Sequence, residues 1–307
     1  MNDRSDLSNP VFAHVSELIA LKKTAETLLS PTQKKLAFKE IGNFKSPFKS
    51  KGLNFQEVRV YQPGDDLRQI DWRITAKYGE PFTKLYTDEK ARSVFILSDL
   101  RTNMKFASTG DFKSVVCAKS TALLLFSALN RLDKINVELL LPDKIQFFSN
   151  LKKNDDIGGV LNTLSDATHP QSLPSDTISF DQSLTFTTQQ ITKGSVIFIL
   201  SDFHDLTENH EKTFALLAHK NTVICIHIHD FLEKQLPAGY LPVTNGTQTM
   251  IIDTTKKSIR DQFTAKFDKR QKLITNWTKK YGLNYLPLRN DSNYIRNLRF
   301  FCEENRL

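Results

Sequence analysis

Short apolar runs alternate with longer helical patterns over most of this sequence. Residues 93–99 (SVFILSD) and 195–202 (SVIFILSD) are apolar runs that each end in an aspartate, and residues 222–228 form a third run. Runs of this length with polar borders predict buried strands. Residues 112–132 are long enough for a strongly apolar helix. Buried strands that alternate with helices predict an α/β fold with a mostly parallel sheet and helices on both faces.

The other predicted elements extend this pattern toward both ends of the chain. They are an N-terminal helix at residues 11–29, an irregular basic connector at 31–54, a hairpin at 135–149, helices at 156–167, 183–191 and 211–220, a strand at 247–254, a long basic amphipathic helix at 256–281, a short last strand at 283–288, and a final helix at 291–303. The helices follow from apolar residues spaced three or four positions apart. The hairpin follows from two apolar runs on either side of Pro142 and Asp143.

The aspartates at two strand ends are the first candidate for a functional site. The carboxyl ends of parallel strands share one edge of a sheet, where ligands bind, so we expect Asp99 and Asp202 to lie in one crevice. Carboxylate oxygens are ligands that Mg²⁺ prefers. Aspartate after a strand also commonly caps a helix or turn, and that structural role is the alternative.

A polar segment with the pattern F-x-E-x-R-x-Y-x-P-G-D-D-x-R-x-I-D-W-x-x-T-A is the second candidate. Its residues are Phe55, Glu57, Arg59, Tyr61, Pro63, Gly64, Asp65, Asp66, Arg68, Ile70, Asp71, Trp72, Thr75 and Ala76. This segment resembles the signature of the bacterial family called domain of unknown function 58 (DUF58), and residues 92–303 resemble a von Willebrand factor A domain. The resemblance implies three parts: an N-terminal helix (1–30), the signature or clamp segment (31–91) and an A-like domain (92–307).

The metal-binding motif of A-type domains is degenerate in this chain. Such domains often carry D-x-S-x-S after the first strand, a threonine in a later loop and an aspartate after the fourth strand. Here Arg101 and Asn103 replace the two serines that would follow Asp99, and Phe180 stands near the place of the threonine. A cation at Arg101 would repel a metal ion. We therefore expect no bound metal, and a salt bridge from Arg101 to Asp99 or Asp202.

The charges of the signature segment allow two interpretations. Gly64 permits a turn, and Asp65 and Asp66 are suited to cap a short helix that follows. The segment contains side chains that are expected to pair with one another, namely Glu57, Asp65, Asp66 and Asp71 with Arg59, Arg68 and Arg73, while Trp72 offers a face for an arginine. Charged groups tolerate partial burial only when they are paired. We therefore interpret the segment mainly as a clamp that docks onto the α/β domain, and secondly as a partner-binding surface.

The net charge of +8 is concentrated toward the C-terminal end. Residues 256–307 contain 13 Lys or Arg and 5 Asp or Glu, which is +8, so the first 255 residues are neutral overall. Many of these cations lie on the predicted helix 256–281. A solvated outer face is the preferred interpretation of that helix. Nucleic-acid binding is the alternative, and no membrane-surface role is expected because the apolar face is needed for packing.

Five histidines are concentrated between two of the predicted strands. They are His204, His210, His219, His227 and His229. Two of them, His227 and His229, lie two positions apart on one strand and face the same side. Together with Asp202 and His204 they are a weak candidate for a metal cluster, and ordinary structural histidines are the preferred interpretation.

Other features disfavour several classes of protein. No apolar run reaches the ~18–20 residues of a membrane helix, and the first residues lack a secretion signal. Cys117, Cys225 and Cys302 form no CxxC pattern, which favours a reducing cytoplasm over a disulfide framework. The sequence contains no nucleotide-binding loop motif and no nucleophile-elbow motif.

The family resemblance also implies a function. Members of the DUF58 family are often linked with MoxR-type AAA+ ATPases, and are thought to help them remodel or mature other proteins. We therefore expect a cytoplasmic, non-enzymatic adaptor without a cofactor. The expected contact surface is the crevice that contains Asp99, Arg101, Asn103, Asp202 and His204, where Arg101 would meet a carboxylate of the partner. The alternatives are metal-dependent ligand binding or hydrolysis at the strand ends, and nucleic-acid binding.

Overall fold

The computed structural model describes residues 9–26, 53–63, 65–88, 93–131, 134–152, 154–170, 176–244 and 249–304. The helices among them are α1 (Val15–Ala25), α2 (Trp72–Tyr78), α3 (Lys113–Asn130), α4 (Gly158–Thr168), α5 (Phe180–Gln190), α6 (Glu211–Ala218), α7 (Phe231–Lys234), α8 (Lys257–Tyr281) and α9 (Tyr294–Glu304). The strands are β1 (Leu53–Val60), β2 (Phe82–Asp88), β3 (Ser93–Asp99), β4 (Lys134–Leu140), β5 (Ile145–Leu151), β6 (Val196–Ser201), β7 (Thr222–His229), β8 (Tyr240–Thr244), β9 (Thr249–Asp253) and β10 (Asn284–Arg289).

Contacts divide the chain into two compact units. The larger unit contains Met1–Thr32 and Arg92–Leu307, and the smaller unit contains Gln33–Ala91. Helix α1 therefore belongs to the larger unit. The three-part division that the family resemblance implies stays a prediction.

A six-stranded sheet forms the centre of the described part of the larger unit. Its strand order is β10-β7-β6-β3-β4-β5, and all neighbours are parallel except β4 and β5, which form the predicted hairpin. Alternate residues of β3 point to opposite faces, so that Ile96 joins one core cluster and Leu97 the other. The predicted α/β class with a mostly parallel sheet is confirmed.

Helix α3 lies at the centre of one helical layer. All of its residues from Lys113 to Leu129 are buried, because the sheet lies on one side and α1, α4 and α9 pack against the helix as well. A helix that is apolar all round requires such cover. The other face of the sheet is covered by α5, α6 and α8, which contribute Leu184, Phe214 and Trp277 to the second core cluster.

The N-terminal helix and strand β8 differ from the sequence-based expectation. The N-terminal helix is shorter than predicted, spanning Val15–Ala25, and residues 27–29 lie outside the described residues. Strand β8 is absent from the prediction because Gly239 and Pro242 are typical of loops. The structure accommodates Pro242 in this strand because β8 pairs only with β9 among the described residues.

The smaller unit is an antiparallel hairpin with a short helix. Strand β1 pairs with β2, and α2 lies between them in sequence. The predicted helix after Asp66 forms as two short pieces. Asp66 caps a single 3-10 turn at Leu67–Gln69 by accepting from Arg68 N, and Asp71 accepts from the backbone N–H groups of Arg73 and Ile74 and thereby caps α2. The predicted connector at 31–54 lies almost entirely outside the described residues.

Candidate functional site

The carboxyl ends of β3 and β6 bring the two predicted aspartates to the same edge of the sheet. The strands are parallel neighbours, Asp99 ends β3, and Asp202 directly follows β6. Both side chains are almost completely buried. Ser201 Oγ donates a hydrogen bond to Asp99 Oδ2 at 2.8 Å, so the two strand ends are joined directly.

The turn after β6 has an unusual backbone conformation. Phe203 has a φ of 51°, in the left-handed region that bulky residues rarely adopt. Its backbone N–H donates to Ser201 Oγ at 2.9 Å, and the next N–H, of His204, donates to Asp202 Oδ1 at 3.0 Å. Burial of the Phe203 ring against Phe180 holds this conformation. The backbone strain is thus located next to the two aspartates, where sites of function commonly store it.

Arg101 occupies the space beside Asp99. Its Nε lies 3.0 Å from Asp99 Oδ1 and its Nη2 lies 2.8 Å from Asp99 Oδ2, so the guanidinium binds this carboxylate in a bidentate manner. Its Nη1 donates to Asp205 Oδ2 at 2.6 Å. The expected salt bridge is therefore present. Arg101 is only 4% exposed, and its Nε, Nη1 and Nη2 each donate a hydrogen bond inside the protein. This disfavours the expected direct contact with a partner carboxylate, which stays a prediction.

A second cation, Lys113, lies beside Asp202. Lys113 is the first residue of α3, and its side chain is 1% exposed. Its Nζ donates to Asp202 Oδ2 at 2.7 Å and also to Glu233 Oε1 on α7. A lysine at the start of a helix is opposed by the helix dipole. The two carboxylates compensate for both that effect and the burial.

Pairing outweighs burial in setting the pKa of Arg101, Lys113 and Asp202, whereas burial outweighs pairing at Asp99. Burial alone would raise the pKa of Asp202, but the charge and hydrogen bond of Lys113 lower it well below its ordinary value. Burial acts to lower the pKa of Lys113, and Asp202 and Glu233 raise it above its ordinary value. Burial raises the pKa of Asp99, against the hydrogen bonds and charge of Arg101. The pKa of Arg101 is in turn raised by its two carboxylate partners against the effect of burial.

These side chains form two hydrogen-bonded groups that adjoin at Ser201 and Asp202, and we call both together the strand-end cluster. It consists of Asp99, Arg101, Lys113, Ser201, Asp202, Asp205 and Glu233. A divalent metal requires free carboxylate oxygens in its coordination sphere, and here two internal cations take those positions. Among the described residues, no group of three or more His, Cys, Asp or Glu side chains is arranged to hold a metal ion.

The remaining predicted crevice residues lie at the rim of the cluster. Asn103 is exposed in the turn after β3, and no hydrogen bond among the described residues involves its side chain. His204 is exposed, and its Nδ1 lies 3.3 Å from Nη1 of Arg270 on α8. The structure therefore divides the predicted residues into a buried ionic core and an exposed rim. We call Asn103 and His204 the rim residues.

The described residues give no support to the alternative interpretation of the histidines as a metal cluster. His227 and His229 do face the same side of β7, with ring centroids 5.2 Å apart, but they pack against Phe267 of α8. His227 Nδ1 is hydrogen-bonded to the hydroxyl group of Tyr285 at 2.8 Å. Burial lowers the pKa of both histidines. They are neutral members of the core, which was the preferred interpretation.

One further buried carboxylate lies outside the strand-end cluster. Glu138 on β4 accepts hydrogen bonds from Ser183 Oγ and Thr187 Oγ1 of α5, each at 2.6 Å. No cation accompanies it among the described residues. Burial raises its pKa to about 7, although the two hydroxyl groups act in the opposite direction.

The signature segment uses its carboxylates mainly to fix the backbone. Asp65 accepts from Gln62 N and pairs with Arg59 Nη2 at 2.7 Å. Asp66 accepts from Arg68 N at 3.0 Å, while the arginine side chain lies 3.8 Å away and is 93% exposed. The predicted pairing of Arg59 with Asp65 is confirmed.

Other signature residues have separate positions. Asp71 caps α2, Tyr61 N donates to Pro81 O at 2.8 Å, and Trp72 is 70% exposed. Gly64 and the side chain of Glu57 lie outside the described residues.

Sequence reasoning missed Lys113, Asp205 and Glu233. A signal for Lys113 was available, because a lysine inside an otherwise apolar helix needs a buried carboxylate partner. The identity of that partner was not available, since Glu233 lies 120 positions away on a four-residue helix.

Comparison with protein families gives a clear assignment. The family described as "Protein of unknown function DUF58" matches residues 57–273, more than two-thirds of the chain. This chain belongs to the DUF58 family. The match begins at Glu57 inside the signature segment and extends through β3, β6 and the strand-end cluster.

Curated relatives of this DUF58 protein match it over a short region. The uncharacterized proteins Rv1480 of Mycobacterium tuberculosis and Mb1516 of Mycobacterium bovis are each 27% identical to it over 70 residues. The match covers 23% of this chain and 22% of each relative. The chain thus spans less than a quarter of the length of these relatives.

Two solved structures share a distant likeness with the DUF58 protein. The conserved hypothetical protein BatB of Bacteroides thetaiotaomicron has a TM-score of 0.40 at 13% identity, covering 69% of this chain and 98% of its own. An aerotolerance-related membrane protein of Bacteroides fragilis has a TM-score of 0.41 at 11% identity, covering 70% of this chain and 100% of its own. In the DUF58 protein itself, no helix of the described residues combines the length and apolar character that crossing a bilayer requires.

Proposed function

We propose that this DUF58 protein is a non-enzymatic adaptor that binds a MoxR-type AAA+ ATPase and helps it to remodel or mature other proteins. The observation that carries the proposal is the pairing of Asp99 and Asp202 with Arg101 and Lys113. Ligand-binding edges of α/β sheets normally present free polar groups. Here the buried groups are paired with one another, so at this edge of the sheet the exposed rim is the part that offers contacts to another molecule.

The resemblance to A-type domains and to ATPase-linked families supports this proposal. A-type domains commonly bind proteins at the strand ends through a metal ion, and this chain has arginine and lysine side chains in that region. We also propose a cytoplasmic location, because Cys117, Cys225 and Cys302 are buried and unpaired. Metal-dependent ligand binding or hydrolysis has less support, since it requires both internal cations to leave their carboxylates.

The contact surface under this proposal differs from the one expected from sequence. Arg101 is buried, so the partner would meet the exposed rim residues Asn103 and His204 together with Asp205, whose side chain is 45% exposed. Arg101 then has a positioning role, because it holds Asp205 at the rim through a direct hydrogen bond.

The test measures binding to the MoxR-type ATPase of the same organism, and the rate of ATP hydrolysis with and without the DUF58 protein. We expect saturable binding and a changed rate for the parent protein, and weaker binding when Asn103→Glu and His204→Glu are combined. Lys134→Glu is the matched control, because Lys134 is exposed at the opposite end of the sheet. A parent protein that neither binds the ATPase nor changes its rate would show that the adaptor proposal is wrong.

A further inference from the structure

The β8–β9 hairpin forms a separate two-stranded sheet in the larger unit. Strand β7 ends at the carboxyl edge of the main sheet, and the chain then forms α7 and the hairpin before α8 begins. The hairpin therefore follows directly from the helix that carries Glu233 of the strand-end cluster. A two-stranded sheet by itself is only marginally stable in water.

Apolar side chains of this hairpin are unusually exposed. Tyr240 is 70% exposed, Met250 is 66% exposed and Ile251 is 69% exposed. Because Met250 and Ile251 are consecutive in a strand, they point to opposite faces. Both faces of β9 thus present an apolar side chain to solvent.

The hydrogen-bond pattern shows which edge of the hairpin is free. Thr254 N donates to Gly239 O at 2.8 Å, so this pair is of the hydrogen-bonded type, and the type alternates along an antiparallel ladder. Pro242 pairs with Ile251, three pairs along the ladder from Gly239 and Thr254. Because the two types of pair alternate, Pro242 and Ile251 form a non-hydrogen-bonded pair. The backbone groups of Pro242 and Ile251 therefore point away from the opposite strand.

The two outer edges consequently differ in their donors. The outer edge of β8 lacks an N–H group at Pro242, which is a common protection against strand addition. The outer edge of β9 keeps the N–H and C=O groups of Thr249, Ile251 and Asp253. No strand among the described residues pairs with that edge.

The surroundings of β9 are positively charged. Helix α8 follows after three residues, and its first two turns contain Lys257, Arg260 and one carboxylate, Asp261, while its other six cations lie further along the helix. Lys256 lies at the end of the connection with its side chain 69% exposed, and its nearest carboxylate, Asp253, is 4.0 Å away. Lys257 has no carboxylate within 4.0 Å among the described residues. An acidic partner is thus favoured by charge.

We propose that the outer edge of β9 accepts an extended acidic segment of a partner protein as an added strand. Backbone hydrogen bonds to Ile251 would supply affinity, and apolar side chains of the segment would cover Met250 and Ile251 on the two faces. The proposal rests on the adaptor function for the identity of the partner, which is the MoxR-type ATPase. The features of the edge itself do not depend on that function.

The experiment compares ATPase binding by the parent protein, Ile251→Pro and Ile251→Thr. Proline removes the outward N–H group but fits the ladder, because its own position is non-hydrogen-bonded like that of Pro242. Threonine keeps the N–H group and the strand propensity and is the matched control. We expect Ile251→Pro to weaken binding by at least about tenfold and Ile251→Thr to weaken it less. Thermal unfolding of each variant shows whether the fold is intact.

Two further measurements test the role of the nearby lysines and the protection of the β9 backbone amides by the partner. Lys256→Glu combined with Lys257→Glu is expected to weaken binding at least about tenfold, whereas Lys279→Glu at the far end of α8 is the control. Amide hydrogen exchange of residues 249–253 is expected to slow when the ATPase is added. If the ATPase binds the parent and Ile251→Pro equally and exchange is unchanged, the strand-addition site is refuted while the adaptor function stands.

A second probe separates the two proposals if the ATPase does not bind at all. That result would refute the adaptor function, and a display library of random peptides would then test the edge. We expect selected peptides to be acidic and to lose binding to Ile251→Pro. Selected peptides that bind both proteins equally, or a failure to select any, would refute the site. Self-association that protects residues 249–253 in the free protein would show that a second copy occupies the edge, and would also refute the proposal.

Discussion

Replacement of Lys113 by methionine is the most informative single change in the strand-end cluster. Methionine has nearly the length of lysine, so the change removes the charge without leaving a large cavity. Asp202 then loses a partner at 2.7 Å while its side chain remains 2% exposed. Glu233, with its side chain 19% exposed, loses its contact as well but remains partly hydrated.

The expected loss of stability follows from the deeper burial of Asp202 compared with Glu233. Breaking a buried ion pair by removing one partner costs about 3–5 kcal/mol of unfolding free energy, because the remaining charge is buried without compensation. Most of that cost arises at Asp202, the more deeply buried carboxylate. For a domain of this size, about 2–4 °C of melting temperature corresponds to each kcal/mol, so we expect a decrease of about 6 to 20 °C.

The assay is thermal and denaturant unfolding of a double-mutant cycle. Lys113→Met, Asp202→Asn and the double variant are compared with the parent, and we expect a coupling free energy of about 2 kcal/mol or more. Lys280→Met is the control, because Lys280 pairs with Glu211 at 2.8 Å on the surface, and little change is expected there. A Lys113→Met protein that melts within about 2 °C of the parent would refute the argument for a buried, paired lysine.

Three further predictions concern other charges of the molecule. Burial raises the pKa of Glu138 in the folded protein to about 7, above its ordinary value, so the ionised form destabilises the fold. The free energy of unfolding should therefore decrease by about 3 kcal/mol as the pH rises from about 4.5 through 7. Urea unfolding of Glu138→Gln should not show this decrease. Arg101→Glu should destabilise the fold by at least about 3–5 kcal/mol, measured by urea unfolding, because it places a third carboxylate beside two that are left unpaired. Lys269, Arg270 and Lys272 should give only weak, salt-sensitive binding to duplex DNA in a fluorescence titration, because Lys269 and Lys272 are solvated cations on the exposed face of α8 and Arg270 is partly buried over the Phe267 ring.

Controls make each of these results specific. Glu208→Gln changes an exposed glutamate and should leave the pH dependence of stability unchanged. Arg101→Glu that unfolds like the parent would contradict its buried bidentate pairing. DNA binding that stays tight at physiological salt and is lost when the three α8 cations are replaced by glutamine would favour a nucleic-acid site instead.

The sequence was sufficient for the central sheet and for part of the cluster. The runs that end at Asp99 and Asp202 are apolar throughout, and such runs have few alternatives to a buried parallel strand. Because neighbouring parallel strands end at one edge, the closeness of the two aspartates followed directly. The pairing of Arg101 with Asp99 followed from their separation by one residue and their opposite charges.

The parts that the sequence did not predict depend on distant contacts. The burial of Arg101 requires Asp205, which lies 104 positions away, and no local pattern indicates that pairing. Pro242 disfavours a strand prediction for β8. The strand tolerates this proline because its backbone nitrogen faces an edge that pairs with no strand among the described residues. The sequence around Phe203 also does not predict the left-handed backbone of this residue, because bulky residues rarely adopt a positive φ.

Titration with divalent metal ions shows whether the chain's own cations, Arg101 and Lys113, occupy the strand-end cluster in place of a metal ion. Mg²⁺, Mn²⁺ and Ca²⁺ are each added to metal-free parent protein while binding heat and melting temperature are followed. We expect no saturable binding and no stabilisation, because Arg101 and Lys113 are already paired with Asp99 and Asp202. Stoichiometric binding that raises the melting temperature and is lost in Asp99→Ala would contradict it.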